Sequence, residues 1–175
     1  MMYFPARAKH GTFLVGQEKG DSCTIASTRM ALKQVTGVDY KESDLRKLSS
    51  KIDNGYERNP NKWGTSPDTT AKLINDNYGK SANASYSNPG TQSVADLQSA
   101  AKDGKGIIVS VRNSEWFGSS AAHSVTVVGV KTENGQQVVL VNDPWPPNTG
   151  KKLAIPADDF KRAWYGDATF ISKVK

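Results

Sequence analysis

Apolar residues recur at helical spacing through roughly the first hundred positions, then in alternating or unbroken runs after them. Ile25, Ala26, Met30, Leu32 and Val35 approximate one stripe. They predict a helix from Cys23 to about Val35, capped by Ser22 and ended by Thr36-Gly37. Ser43 opens a shorter helix carrying Leu45 and Leu48. Ser66-Pro67 starts another, proline being favoured at the first helical position; it carries Ala71, Leu73 and Ile74 and stops near Tyr78-Gly79. Ser93 opens a further helix, with Val94, Leu97, Ala100 and Ala101 inward and Gly104 at its end.

The period then changes. Gly106–Arg112, His123–Val130 and Gln137–Asn142 read as strands, the last two joined by the hairpin signal Glu133-Asn134-Gly135. A short helix from Pro156 to Tyr165 precedes a closing strand, Ala168–Val174. Asp53–Thr65 and Ser81–Pro89, polar and rich in Asn, Gly or Ser, read as surface loops. Helices followed by an antiparallel sheet make the class α+β, and residues 1–175 read as one domain without internal repeats.

Composition narrows the function classes. One cysteine excludes an intrachain disulfide, so the chain suits a reducing compartment. With only His10 and His123 and no second cysteine, no metal site is expected. The charge of +6 and pI near 9.4 would suit an acidic partner such as nucleic acid, an anionic membrane or an inhibitor protein. Lys and Arg are nevertheless scattered, so the cations read as solvated faces and no nucleic-acid partner is expected. The apolar runs around Ile107–Val111 and Val125–Val130 are far shorter than the ~20 residues of a membrane span, so no membrane partner is expected either. Met1–Lys9 lacks the apolar centre of a secretion signal and reads as the start of a fragment of a longer protein.

Cys23 stands where a helix N-terminus would stabilise its thiolate. His123 opens an apolar strand and Asp143 closes the next; in a hairpin both lie toward the same end of the sheet. The imidazole there can deprotonate a thiol and later protonate a leaving amine, while the carboxylate fixes its tautomer and tilt. Gln17, six residues before Cys23, can donate to an oxyanion together with the Cys23 N–H. Trp63, Trp116 and Trp145 fall in loops; Trp145, two residues after Asp143, and Trp116, shortly before the His123 strand, are the candidates for a peptide cleft. Alone, each feature also fits a buried thiol, a core histidine or a turn aspartate; order and spacing together point to a thiol hydrolase.

Gln17–x5–Cys23 before a helix, His123–Val130 and Val141-Asn142-Asp143-Pro144-Trp145 resemble the papain-like cysteine peptidases, and most closely the bacterial double-glycine peptidases that trim bacteriocin leaders. The resemblance covers roughly residues 14–174. It implies a papain-like fold with Cys23 as nucleophile, His123 as base, Asp143 orienting it, Gln17 in the oxyanion hole, and no cofactor. Those peptidases usually carry Asp-Cys-Gly where this chain has Ser22-Cys23-Thr24, and bulk after the thiol is expected to narrow the cleft. The chain also looks like papain-fold modules of bacterial polymorphic toxins, which act inside a target cell and are blocked by an immunity protein. The expected activity is an endopeptidase cutting a bacterial protein after a small residue such as glycine. Deamidase, transglutaminase or acyltransferase chemistry on the same fold, and a non-catalytic binding module, remain the alternatives.

Overall fold

The structure, a computed structural model, describes residues 13–53, 65–118 and 122–175. Trp63 and the reading of Met1–Lys9 lie outside them, as does most of the loop read at Asp53–Thr65. Five helices and six strands occur among the described residues. They are α1 (Cys23–Thr36), α2 (Glu42–Asp53), α3 (Pro67–Tyr78), β1 (Ala82–Ser87), α4 (Val94–Lys102), β2 (Gly106–Val111), β3 (His123–Glu133), β4 (Gln136–Asp143), β5 (Lys151–Pro156), α5 (Ala157–Ala163) and β6 (Ala168–Lys173).

The strands form one antiparallel sheet in the order β1-β6-β2-β3-β4-β5. Neighbouring residues of β2 point to opposite faces. Ile108 joins Ile25, Leu32, Leu45, Leu73 and Ile171 in a core beneath α1, α2 and α3. Ile107 and Val109 join Leu97, Val125, Val141 and Phe160 in a second core beneath α4 and α5. Covering both faces explains the near-continuous apolar runs of β2 and β3, which a one-faced sheet would not require. The class is therefore α+β, with the amino-terminal helices packed on one face of a largely carboxy-terminal sheet. None of the described helices is long and apolar enough to cross a membrane.

Local signals explain the element ends. α1 stops where Gly37 turns left-handed (φ 78°) and donates to the Lys33 carbonyl at 2.9 Å. Ser93 and Asp96 form a reciprocal capping box on α4. Asn134 and Gly135 both take positive φ (50° and 76°), as a two-residue hairpin between β3 and β4 demands.

Two edge strands depart from the sequence reading. Ala82–Ser87, taken there as part of a loop, is β1, paired with β6 along its whole length. Its small polar residues carry little strand preference, so pairing and the helix beside it decide its state. Asn75 of α3 completes this edge, donating to the Ala84 carbonyl at 2.9 Å and accepting the Ala84 N–H at 2.8 Å. β5, Lys151–Pro156, pairs with β4 at the other edge and buries only Ile155 fully. Its lysines and proline suit an edge exposed to solvent and mask the strand in the sequence.

Candidate active site

Cys23 is the first residue of α1, and a tight turn delivers it there. The Lys19 carbonyl accepts from the Ser22 N–H at 3.3 Å and the Ser22 hydroxyl at 3.0 Å; the same hydroxyl oxygen accepts the Lys19 N–H at 3.1 Å. Ser22, expected to cap α1 with its side chain, makes no such bond, because its hydroxyl is engaged with the residues behind it. The first-turn N–H groups of α1 therefore have no side-chain cap from Ser22, at the positive end of the helix dipole.

Hydroxyl groups dock α1 onto β3. Thr24 Oγ1 and Ser124 Oγ are 2.8 Å apart, and Ser27 Oγ donates to the Ser124 carbonyl at 3.0 Å, all three residues being buried. Cys23 and His123 each immediately precede one member of the Thr24–Ser124 pair. The docking thus brings a half-buried thiol to the side of a buried imidazole, and the two interact electrostatically. The Thr24 side chain is turned to the sheet, so the bulk expected to narrow the cleft is packed away.

His123 opens β3 and Asp143 ends β4, at the same end of the sheet because the strands are antiparallel. His123 Nε2 lies 2.6 Å from Asp143 Oδ1, which leaves Nδ1 as the ring nitrogen for the thiol. Asp143 is 1 % exposed; its Oδ1 also accepts the Trp145 N–H at 2.9 Å, and Lys151 Nζ stands 3.9 Å from its Oδ2. The Phe117 ring, buried in the core, is tilted toward the imidazole at a centroid distance of 6.4 Å.

Burial alone pushes the His123 pKa down. The hydrogen bond to Asp143 and the contact with Cys23 outweigh it and raise the value from 6.5 to about 9. Burial pushes the Cys23 thiol up, but the imidazole, the Ser124 backbone and the Thr24 hydroxyl together bring it below its ordinary 9.0. Both directions favour a thiolate–imidazolium pair near neutral pH, the reactive form of a nucleophilic cysteine.

Gln17 belongs to a second substructure. Its N–H donates to the Pro144 carbonyl at 2.9 Å, and its carbonyl accepts the Asn148 N–H at 2.9 Å. The turn after Asp143 therefore clasps the segment before Cys23. The crossing is close enough to demand glycines: a Cβ on Gly16 would lie 2.3 Å from the Thr149 nitrogen, and one on Gly150 (φ 62°) would lie 2.8 Å from the Asp143 carbonyl. The Gln17 side chain is buried, and its Nε2 donates to the Lys19 carbonyl at 2.6 Å. An amide nitrogen carries two hydrogens, so one donor remains for an oxyanion. Buried Glu42 steadies the next residue, accepting the Glu18 N–H at 3.0 Å and pairing with Arg46 at 3.0 Å.

The two candidate cleft tryptophans differ. Trp145 is 40 % exposed at the rim beside Asp143. Trp116 packs partly against the core, and its indole N–H reaches Asp159 of α5 at 3.4 Å. The sequence reading did not single out Ser124, Glu42 or Lys151. Ser124 follows His123 directly, and that adjacency is the one signal that could have flagged it. Among the described residues no cluster of three His, Cys, Asp or Glu side chains could hold a metal ion.

A sequence model described as the Peptidase_C39 like family matches residues 9–169. No curated protein matches the chain.

Proposed function

From the premise that the chain belongs to the Peptidase_C39 like family, of papain-like cysteine peptidases related to the double-glycine peptidases, we propose that it is a cysteine endopeptidase whose nucleophile is Cys23. The observation that carries this reading is the 2.6 Å contact between His123 and buried Asp143, beside a thiol held at the N-terminus of α1. The Cys23 thiolate attacks the scissile carbonyl. The Cys23 N–H and the second Gln17 amide N–H stabilise the oxyanion. The His123 imidazolium protonates the leaving amine and a thioester remains. Water, deprotonated by the now neutral imidazole, then releases the acid and restores the thiol pair.

The substrate proposed is a bacterial protein or peptide cut after a small residue, with glycine first among them, and Trp145 as one wall of the cleft. The site of action proposed is the cytosol of a target bacterium, with an acidic immunity protein as inhibitor; the net charge of +6 supports that partner. The test is product mass after incubating the protein with peptides containing Gly-Gly and with bacterial lysate. Two fragments summing to substrate plus water, absent with Cys23→Ala, are the expected result. A gain of about one dalton on glutamine, or an amine adduct, replaces proteolysis with deamidation or acyl transfer on the same thiol. No product with either protein overturns the enzymatic reading.

A further inference from the structure

Glu42, the first residue of α2, is fully buried, and the thiol chemistry makes no use of it. Its two oxygens serve different neighbours. Oε1 accepts from Arg46, one turn later in α2, at 3.0 Å. Oε2 accepts the backbone N–H of Glu18, twenty-four residues earlier, at 3.0 Å. A helix start is served by any acidic side chain, and exposed Asp44 stands in the same first turn. Burying a carboxylate is costly, and a pairing such as that with Arg46 offsets the cost without adding much stability. Neither the helix dipole nor stability therefore explains why Glu42 is turned inward onto Glu18.

The bond falls on one particular peptide unit, the one joining Gln17 to Glu18. Its carbonyl accepts the Asn148 N–H at 2.9 Å, and its N–H donates to Glu42 at 3.0 Å. A peptide unit is planar, so anchoring both polar groups fixes the orientation of the whole plane. The Gln17 N–H is held in turn by the Pro144 carbonyl at 2.9 Å. The backbone on either side of the Gln17 Cα is thus tied down, and the direction in which its side chain leaves is set. The Glu18 side chain adds little to this. It is half exposed, 3.6 Å from Arg46 and 3.9 Å from Arg29, and Arg29 is engaged in a fork with Asp39 at 2.7 and 3.2 Å.

We infer that Glu42 is a positioning residue for the oxyanion hole: it locks the Gln17–Glu18 peptide and so fixes where the Gln17 amide donates. This rests on the reading of Gln17 as oxyanion donor and adds α2 as a support that the clasp alone does not supply. A carboxylate suits the task because both of its oxygens accept. An amide in its place has one acceptor and sets an NH2 group against either the Glu18 N–H or the guanidinium.

The test is a double-mutant cycle with Gln17, read by steady-state kinetics on a Gly-Gly peptide and by iodoacetamide alkylation of Cys23, the chain's one cysteine. Glu42→Gln keeps the size of the group and loses one acceptor. It should lower kcat by ~10–100-fold and leave KM within about twofold, because a displaced oxyanion donor acts in the transition state. Alkylation should keep the wild-type rate, since the thiol is untouched. Gln17→Ala should lower kcat by ~10²–10³-fold, and Gln17→Ala/Glu42→Gln by no more than Gln17→Ala alone. A merely structural Glu42 gives losses that multiply in the double variant, or slows alkylation as much as turnover; either result overturns the inference. So does an unmoved kcat in Glu42→Gln with the thermal transition intact. If that variant does not fold, Glu42→Asp, whose shorter arm cannot hold both Arg46 and Glu18, is read in the same cycle, and an unmoved kcat there overturns it. A wild-type protein without Cys23-dependent cleavage overturns the underlying reading and this one with it, an outcome distinct from an active enzyme in which Glu42 and Gln17 act independently.

Discussion

The seam between α1 and β3 and the clasp between residues 14–17 and 144–150 bear on the same thiol but are built by different means. The seam is regular structure locked by buried side-chain hydroxyls, Thr24, Ser27 and Ser124. The clasp is irregular backbone, held by the Gln17–Pro144 and Gln17–Asn148 hydrogen bonds and by two glycines that let the chains cross. The seam holds the start of α1, and with it Cys23, against the start of β3, where His123 stands. The clasp fixes Gln17, the oxyanion donor of the proposed mechanism, and ties it to the turn that follows Asp143. Nucleophile and oxyanion donor should therefore fail separately when each region is damaged, and Asp143, at the root of the clasp, belongs to both.

Removing the sulfur breaks both regions' purpose at once. Cys23→Ala should lower kcat/KM on a Gly-Gly peptide by at least ~10⁴-fold with an unchanged thermal transition. Asp143→Asn comes next, at ~10²–10⁴-fold, because it keeps the size of the group and loses the charge that orients and stabilises the imidazolium. It should also move the alkaline limb of the pH–rate profile down from about 9, since Asp143 is the leading cause of the upward shift of His123. Gly16→Ala sharpens the comparison most. Its Cβ has no room against Thr149, so the clasp must open. A ~10²–10³-fold loss in kcat is expected, the scale of one oxyanion donor, while Cys23 alkylates at nearly the wild-type rate. Equal losses in both assays would show that the two regions are one.

A smaller effect concerns stability against pH. His123 has a folded pKa raised above its unfolded value of 6.5, to about 9. Its contribution is therefore complete below pH 6.5 and is lost as pH rises through about 9. The thermal midpoint should fall across that window in the wild type and fall less in His123→Gln.

Much of this was legible in the chain. The stripe of α1, the runs of β2 and β3 and the Asn134-Gly135 turn each carry their own period or punctuation, so the sheet's centre and the common end of His123 and Asp143 follow from them. β1 and β5 were not legible as strands: Ala82–Ser87 and Lys151–Pro156 lie at edges, where pairing rather than side-chain pattern makes a strand. The clasp was hidden for another reason. A backbone hydrogen bond from Gln17 to Pro144 leaves no mark on residue type except the glycines beside it. The Ser22 cap misled because a hydroxyl before a helix can bond forward to the helix or backward into a turn, and the sequence is the same for both. Thr24 and Ser124 are ordinary residues until the helix and strand that carry them are brought together.

The account depends most on imidazole and thiol existing as an ion pair, and NMR titration of the His123 ring reads this directly. His10→Gln removes the other histidine and makes the assignment unambiguous. The account predicts a His123 midpoint near 9, with the Nε2 hydrogen retained toward Asp143, and a lower midpoint in Cys23→Ala. A midpoint near 6.5, the same with and without the sulfur, would contradict it.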